Sequence, residues 1–555
     1  MVIIGSLLCT SLKAQEQQGD SLKPISNFRR WYQNLLPSPY DGPKNKLRIP
    51  MAVGYYDFDD NIRDLQLLGK LQPEQSLTIR PYILTPKLGY DSLLAMIDPE
   101  FENHGHLVER KHSDIQLLPI NFLQKYNSHH PYGWNDGPLS FSKGYQFVGS
   151  GGVYLRLRNI HLTLRPEFFK TASDPYEISA DWGQRTSALS RLTLGQSSLR
   201  MDFGPLSVGV SSQNLWLGPG QYSSLLMSNN AAGFNHFNIQ TNRPLKTPFG
   251  NFELSIIGGN LTSDENQVFE NSNPPFKNLS LKTGYILKES RYINLLTLTY
   301  NPLFFKNLYL GVNRAFQLYS QSKPSIKLTN YYLIALKPLF RNQYEDVAIP
   351  IDQLISGFAK YLFPKEHAEI YFQYGWNDGS SNSRDLVLDL SHSTSSIFGF
   401  KKIQYLNKNY YLNIVVEATR MAQTPSYLQR NGGNWYEHFQ IFEGYTNKNQ
   451  ILGAGSGPGN NLQTFAISLN KGWGKYGISF QHIAQNPMRF SADVLDVRLG
   501  KIEWHDYSYG IQIKQKHRNI LFNLNMEWVN SKNYLWQNNN KVSNVYIFLN
   551  TIYLW

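Results

Sequence analysis

The chain has 555 residues, a formal net charge of +12 and an aromatic content of 14%, yet its mean hydropathy is −0.39. It contains no run of about 18 apolar residues, which excludes membrane-spanning helices. A chain this rich in rings yet hydrophilic on average needs surfaces on which each ring has polar neighbours, and strands of alternating polarity provide them. The positive charge is spread along the chain, which favours anionic lipids or glycans as partners and argues against nucleic acid.

The N-terminus is expected to be an export signal. Residues 2–12 are apolar and lead into Lys13-Ala14-Gln15, so residues 1–14 are predicted to be a signal peptide cut after Ala14. The only cysteine, Cys9, lies in this segment, so the mature chain would have no disulfide and no thiolate metal site.

Residues 15–110 are predicted to form a small periplasmic element, part helical and part extended, at the base of the main domain. Asp60 can cap a helix that Gly69 ends, with an apolar face carrying Ile62, Leu65 and Leu68. Asp91 can cap a second helix over 92–97, and residues 76–81 between the two helices are expected to be extended.

Residues 111–555 are predicted to form the main domain, in which the dominant period from about residue 145 is two. Apolar and polar side chains alternate there in paired segments joined by tight turns, the clearest being 153–165, 199–210, 370–376, 465–480 and 520–528. Such alternation also occurs in soluble β-sandwiches, so the period alone leaves both folds open.

Three further features favour an all-β, transmembrane outer-membrane β-barrel of a Gram-negative bacterium. Short turns alternate with long loops rich in Gly, Asn and Ser, rings cluster near strand ends, and the last strand ends on Tyr553 and Trp555. At about 10 residues per spanning strand, the domain is expected to have roughly 16 to 20 strands.

Several segments resemble the Wzi family of capsule-assembly proteins of Bacteroidetes-type bacteria. The strongest is Gln213-Asn-Leu-Trp-Leu-Gly-Pro-Gly220, followed by 223–230 and 242–250; Gln213 and Leu217 stand where the family usually has Glu and Trp. The order of further residues is also similar, namely 64–69, 369–378, Arg384, Asp385, His392, 399–400, Glu417, Trp435, His438, 444–445 and 453–459.

The resemblance implies an eighteen-stranded outer-membrane barrel with a periplasmic helical element. It also implies a lectin-like protein that binds and helps to assemble or retain capsular polysaccharide or exopolysaccharide, and that is not an enzyme. No catalytic residue, cofactor or metal is predicted, and the protein is expected to be a monomer in contact with outer-membrane lipids and an acidic glycan. The alternative is an outer-membrane porin or sugar channel.

The hexapeptide Tyr-Gly-Trp-Asn-Asp-Gly occurs twice, at 132–137 and 374–379. A Trp ring can stack on a pyranose face while Asn and Asp bind its hydroxyls, so these residues are candidates for glycan binding. The alternative is a turn with a girdle Trp, because Asn-Asp-Gly favours positive φ. The full set of candidate glycan-binding residues is Trp134, Asn135, Asp136, Trp216, Trp376, Asn377, Asp378, Arg384, Asp385, His392, Glu417 and His438.

Charged residues on the predicted strands leave two alternatives open. Arg156, Arg158, Arg165 and Arg200 could line a basic lumen or pair with carboxylates such as Asp202. The group formed by Arg384, Asp385, His392, Glu417 and His438 is the most enzyme-like, but it has no motif spacing, so a polar network in the lumen is the preferred interpretation.

Overall fold

A computed structural model describes most of the barrel and parts of the N-terminal region. The described residues are 50–51, 58–71, 75–83, 95–98, 104–110, 112–177, 184–185, 188–263, 267–268, 290–322, 351–377, 393–423, 434–438, 441, 443–486 and 502–555. The predicted signal peptide, Asp91 and the candidate site residues Asp378, Arg384, Asp385 and His392 lie outside these residues.

The described residues contain the helix α1 (Phe58–Leu67) and two 3-10 turns, Ser320–Ser322 and Tyr534–Trp536. The strands, in chain order, are β1 (Pro50–Met51), β2 (Ile79–Arg80), β3 (Tyr82–Ile83), β4 (His106–Glu109), β5 (Ser113–Asn127), β6 (Gly144–Leu157), β7 (Ile160–Leu164), β8 (Glu167–Lys170), β9 (Gln184–Arg185), β10 (Ser190–Thr193), β11 (Ser198–Phe203), β12 (Leu206–Ser211), β13 (Trp216–Leu217), β14 (His236–Thr241), β15 (Leu245–Thr247), β16 (Gly250–Leu261), β17 (Gln267–Val268), β18 (Arg291–Pro302), β19 (Leu308–Tyr319), β20 (Ile351–Phe363), β21 (Ala368–Asn377), β22 (Thr394–Tyr405), β23 (Tyr411–Arg420), β24 (Thr446–Asn447), β25 (Gln450–Ile451), β26 (Asn461–Lys471), β27 (Gly474–Gln485), β28 (Trp504–His517), β29 (Ile520–Lys532) and β30 (Lys541–Tyr553).

The sheet is a closed antiparallel barrel of 18 wall strands. Three wall strands are interrupted. β7 and β8 are two parts of one strand beside β6, and β10 and β11 are two parts of the next strand, which pairs with β8 and β7. β14 and β15 likewise form one strand beside β16. Pro166 and Pro244 lie in two of these breaks, where a residue without an N–H cannot continue the ladder.

The barrel closes between β30 and β5, which pair from Tyr546 opposite Asn127 to Tyr553 opposite Ile120. The remaining part of β5 pairs with β4, which follows β30 along the same edge. The indole nitrogen of Trp555 donates to the Leu118 carbonyl at 2.8 Å. The barrel predicted from the two-residue period and the aromatic C-terminal strand is therefore confirmed. Its 18 strands lie within the expected range of roughly 16 to 20.

The predicted asymmetry of the two barrel ends is also present. One end has short turns such as 158–159, 204–205 and 472–473, and the other has long connections such as 212–235 between β12 and β14. Since the second kind of connection faces outward in outer-membrane barrels, we call this end the outer mouth.

Each wall strand has an apolar outer side and a polar inner side. On β29, Phe522, Met526 and Trp528 are exposed by 41%, 42% and 56%, whereas Asn523 and Ser531, on the opposite side of the strand, are buried. A row of exposed apolar side chains on a barrel is the surface that lipid covers. No helix in the described part of the chain is long and apolar enough to cross a membrane.

Two of the four arginines predicted to face the lumen lie near carboxylates, as the ion-pairing alternative expects. Arg200 contacts Asp202 at 2.9 Å, and Arg156 lies 3.8 Å from Asp114. The expectation of an inward Arg158 is wrong, because Arg158 lies in the turn after β6, is exposed and has a φ of 54°. Arg165 is fully buried.

The N-terminal helix begins earlier than predicted. It starts at Phe58, whose ring packs 5.5 Å from that of Trp473, so Asp60 lies in the first turn and is not its cap. An acidic first turn still favours the helix because it faces the positive end of the helix dipole. The end is as predicted: Gly69 has a φ of 69°, and the amide of Lys70 donates to the Leu65 carbonyl at 2.9 Å.

Candidate functional site

The connection 212–235, which we call the inserted loop, folds back into the lumen. Its apolar side chains pack against inward-facing residues of the wall, including Ile257, Ile293 and Leu295. The side chains that the loop contributes to this hydrophobic cluster are Leu215, Leu217, Leu225, Leu226, Met227, Ala231 and Phe234. A hydrophobic core therefore occupies part of the lumen, with the stiff Gly-Pro-Gly segment inside it.

Glu417 anchors this loop to the wall. Its buried carboxylate accepts hydrogen bonds from the backbone amides of Gln221 at 2.7 Å and Tyr222 at 3.2 Å, and from the Tyr371 hydroxyl at 2.7 Å. Three donors satisfy a buried carboxylate and fix the loop that carries two of them. The contacts of this predicted glycan-binding residue are thus contacts of the barrel with its own loop.

The inserted loop meets the N-terminal region inside the barrel. Strand β13 pairs with β2, with Trp216 opposite Arg80, and the Gly218 amide donates to the Thr78 carbonyl at 2.8 Å. The Arg80 guanidinium lies 4.9 Å from the centre of the Trp216 ring, and that ring is only 3% exposed. Trp216 therefore packs at the junction of the two segments that fill the lumen.

Ion pairs hold α1 against the wall near the short-turn end. Arg63 pairs with Glu369, which also contacts Lys360 at 3.3 Å, and Asp64 lies 2.6 Å from Lys401. Burial by itself would raise the pKa of Asp60. The positive charges of the nearby Lys475, Lys401 and Lys514 together have the larger effect, so the pKa of this carboxyl lies well below its ordinary value. The helix is thus held by charge as well as by its apolar side.

A cleft rich in aromatic side chains opens at the outer mouth, beside the inserted loop. It contains about 490 Å³ of unfilled space, including its open entrance. We call it the aromatic cleft; among the residues that line it are His130, Trp134, Tyr176, Glu177, Ser456, Gln485, Trp504, Asp506, Tyr534 and Leu535.

Its floor is a fixed group of rings and polar side chains. The Trp504 ring makes edge contacts with Tyr534 and Trp536, each at 5.0 Å between centres. Asp506 accepts hydrogen bonds at 2.7 Å from the Trp504 indole nitrogen and from the Gln485 amide. These contacts fix the rotamers of Trp504 and Asp506, as a preorganised binding surface requires.

The loop 533–540 bends into the mouth at a conformational cost. Asn533, Leu535 and Trp536 have φ values of 53°, 56° and 57°, and each such non-glycine residue costs roughly 1–2 kcal/mol. The Trp536 indole nitrogen donates to the Gln485 carbonyl at 3.1 Å, which helps to hold the bend. Strain of this kind persists where the surrounding contacts determine it, often at functional sites.

Polar atoms in and beside the cleft remain available. The Nε2 atom of His130, the Oγ atom of Ser456 and the Oδ1 atom of Asn135 are buried and form no hydrogen bond with the part of the chain that the structure describes. Burial, together with the neighbouring His129, lowers the pKa of His130 to about 3, so this ring is neutral near pH 7. A neutral imidazole can donate to or accept from a sugar hydroxyl.

The two copies of the hexapeptide have different structures. In the first, Trp134 is half-buried in the aromatic cleft, Asn135 has a φ of 63°, and Asp136 pairs with Lys125. In the second, Trp376 lies on β21, on the same outer side as the exposed Phe372, with its ring 4.8 Å from that of Tyr374. The first copy fits the binding interpretation, and the second fits the girdle interpretation.

Comparison with known proteins identifies the family. The family model described as capsule assembly protein Wzi matches residues 135–471, more than half of the chain. This chain belongs to the Wzi capsule assembly family. It is accordingly an outer-membrane β-barrel. No curated protein matches it.

Solved structures add a comparison of folds. The Wzi protein of Escherichia coli, described as a carbohydrate-binding β-barrel involved in group 1 capsule assembly, superposes with a TM-score of 0.62 at 14% identity, over 91% of this chain and 100% of that one. The Pseudomonas aeruginosa proteins OprD and OccK2, the latter in complex with glucuronate, give TM-scores of 0.36 at 8% and 9% identity. They cover 78% and 81% of this chain and 92% and 98% of their own. Only the first likeness is high enough to support an argument, and it concerns the fold.

Two further predicted residues of this Wzi-family barrel have structural contacts. The Asn377 side chain donates to the Asn434 carbonyl at 3.2 Å, and the Nδ1 atom of His438 accepts from the Ile441 amide at 3.2 Å. Within the described residues, Glu417 thus contacts the inserted loop, and His438 contacts the backbone three residues further along the chain.

Sequence reasoning missed most of the aromatic cleft. Trp504 begins β28, Tyr534 follows β29 and His130 follows β5, and their spacing in the chain gave no sign of their proximity. The available signal was the concentration of rings and His beside loop residues, at 129–134, 504–509 and 534–536.

It also missed a second opening at the mouth, which we call the polar groove. This groove has about 1300 Å³ of unfilled space, including its open entrance. Besides Glu167, its polar lining includes Arg191, Asn235, Asn260, Asn447, Lys448 and Gln450.

Proposed function

We propose that this Wzi-family barrel binds a capsular polysaccharide or exopolysaccharide at its outer mouth and helps to assemble or retain it at the cell surface. The observation that carries the proposal is the aromatic cleft beside a filled lumen. Rings, fixed polar groups and unused buried donors and acceptors converge there at the end of the barrel that faces outward.

The chemistry of the cleft suits a sugar. The half-exposed Trp134 ring offers an apolar face for stacking on a pyranose, and the Nε2 atom of His130 and the Oγ atom of Ser456 offer hydrogen-bonding partners for its hydroxyls. Binding of this kind requires no covalent step, so we propose a binding protein and not an enzyme.

The polar groove favours an acidic glycan. Arg191 and Lys448 line it among several side-chain amides, with Glu167 as an acidic group in the same lining. Charge-assisted hydrogen bonds to carboxylates are stronger than neutral ones. A polymer that reached both openings would gain by effective concentration, so each contact can be weak.

The filled lumen argues against the porin alternative. The inserted loop and the N-terminal segment contact one another inside the barrel, from β13 against β2 to Gln221 against Asp60 at 3.1 Å. A water-filled channel would have to displace these buried contacts. We therefore favour binding over transport.

Two matched Trp variants test the proposal. We expect Trp134→Ala to weaken binding of polysaccharide purified from the same cells by roughly tenfold, because stacking and buried ring area are lost. Trp376→Ala, which changes the same residue of the same hexapeptide on the outer wall, should leave binding unchanged. Titration calorimetry on the purified barrel measures both affinities. Equal affinities for Trp134→Ala and wild type would contradict the proposed site, and no binding by the wild type would contradict the proposed function.

A further inference from the structure

The outer wall near the mouth carries an ordered array of side chains on β27 to β30. The pairing places Phe480, Tyr509, Trp528 and Val545 in one row across the four strands. All four are exposed, by 37% to 56%. Exposed rings on a barrel wall near its end mark the membrane interface.

Two residues further along each strand, the wall becomes polar. The next outward row is His482, Tyr507, Asn530 and Ser543, and the row after it is Ala484, His505, Lys532 and Lys541. At about 3.4 Å per residue, the last row lies about 14 Å along the strands from the rings. Strand tilt reduces this to roughly 10 Å along the membrane normal, within the headgroup layer.

Basic residues face one another in this last row. His505 is directly opposite Lys532, and Lys532 is directly opposite Lys541. The ring of His482 stacks on that of His505 at 5.2 Å and adds a further nitrogen to the group. We call His482, His505, Lys532 and Lys541 the basic row.

Such an arrangement is unfavourable unless an anion is bound. Like charges directly opposite in an antiparallel pair destabilise the sheet. Within the described residues, the nearest carboxylate contact is that of Glu503, at 3.2 Å from His505, and neither lysine has an ion pair. The Lys532 ammonium instead lies 5.0 Å from the centre of the Tyr507 ring.

We propose that the basic row binds the phosphorylated headgroup of a glycolipid in the outer leaflet of the outer membrane. Its side chains point away from the lumen, so a polysaccharide in the aromatic cleft does not reach them. They continue directly from the lipid-facing rings, so a lipid with its acyl chains on Phe480 and Trp528 has its headgroup at this height. Phosphate oxygens accept charge-assisted hydrogen bonds from lysine ammonium groups and ordinary hydrogen bonds from neutral imidazoles.

The test uses the purified full chain in detergent micelles and lipid A as the probe. Titration with bis-phosphorylated lipid A measures the affinity of the wild type and of Lys532→Gln/Lys541→Gln. We expect the double variant to bind at least roughly tenfold more weakly, because two charge-assisted contacts are lost. Lys532→Arg/Lys541→Arg should keep most of the affinity, which separates loss of charge from misfolding.

Two controls complete the experiment. Lys170→Gln removes another exposed strand-end lysine, which stands opposite Ser190 and Phe147 and not opposite a second cation, and it should leave the affinity unchanged. Lipid A without phosphates should bind the wild type as weakly as bis-phosphorylated lipid A binds the double Gln variant. Equal binding of lipid A by wild type and the double Gln variant, or equal binding of the two lipids by wild type, would overturn the proposal. Polysaccharide binding is expected to be intact in the double Gln variant.

Discussion

Gly399 shows how one residue can control the anchor of the inserted loop. The hydroxyl of Tyr371 donates to Glu417, and the Tyr371 ring lies directly over Gly399 on the neighbouring strand. A Cβ atom at Gly399 would come within 2.0 Å of that ring. The absence of a side chain at position 399 is therefore what allows Tyr371 to reach the carboxylate.

Gly399→Ala is accordingly expected to lower the free energy of unfolding by about 1–3 kcal/mol, since either the ring or the strand must move. Gly357→Ala is the matched control, because its Cβ would have its nearest contact at 3.9 Å, an ordinary van der Waals distance. Equilibrium unfolding by urea in lipid vesicles measures both variants. Similar losses in the two would show that the space over Gly399 is not limiting.

At the scale of elements, the inserted loop is the part of the barrel that most directly blocks the lumen. It packs its apolar side chains on the wall, pairs with β2 and donates backbone hydrogen bonds to Glu417. Ser211 and His236, which flank it, are direct partners in the sheet. A short Gly-Ser turn can therefore replace residues 212–235 without breaking the wall.

We expect this replacement to convert a closed barrel into one with a measurable conductance in planar bilayers. The wild type should show no stable open level, because the inserted loop and the N-terminal segment contact one another inside the lumen. Shortening the exposed turn 406–410 at the other rim is the control and should leave the barrel closed. A stable open level in the wild type would favour the channel alternative.

At the scale of the whole molecule, the barrel combines an outer wall suited to lipid with a mouth suited to sugar. Its formal charge of +12 favours anionic partners on both surfaces. The aromatic cleft and the polar groove lie on the same outer mouth, where a polymer leaving the cell would meet them.

Deletion of the gene is therefore expected to move polysaccharide from the cell-bound to the released fraction at unchanged total amount. Fractionation of cells and medium followed by sugar quantification measures this shift. Complementation with wild type should restore the bound fraction, and complementation with Trp134→Ala should restore less of it. An unchanged distribution would argue against retention and for transport.

The sequence by itself determined the barrel. Alternation of apolar and polar residues is a local property, and closing such strands against lipid outside and polar groups inside has few solutions. The hairpins at 153–165, 199–210 and 465–480, the short turns and the terminal strand followed from it. The first turn of α1 did not follow from it. Phe58 packs on Trp473, which is more than 400 positions away in the chain, and this contact extends the helix towards the N-terminus.

Only the tertiary structure brings together the residues of the proposed site. The same hexapeptide is a loop at 132–137 and, as far as it is described, a strand at 374–377, since pairing with β20 and β22 fixes the second copy and no such partners fix the first. Trp134 consequently enters the mouth, whereas Trp376 faces outward. Glu417 and Trp216, two of the predicted glycan-binding residues, have contacts that hold the inserted loop in the lumen. Residues such as Trp504 and His130 meet because barrel closure joins distant segments, and that proximity is not encoded in any local spacing.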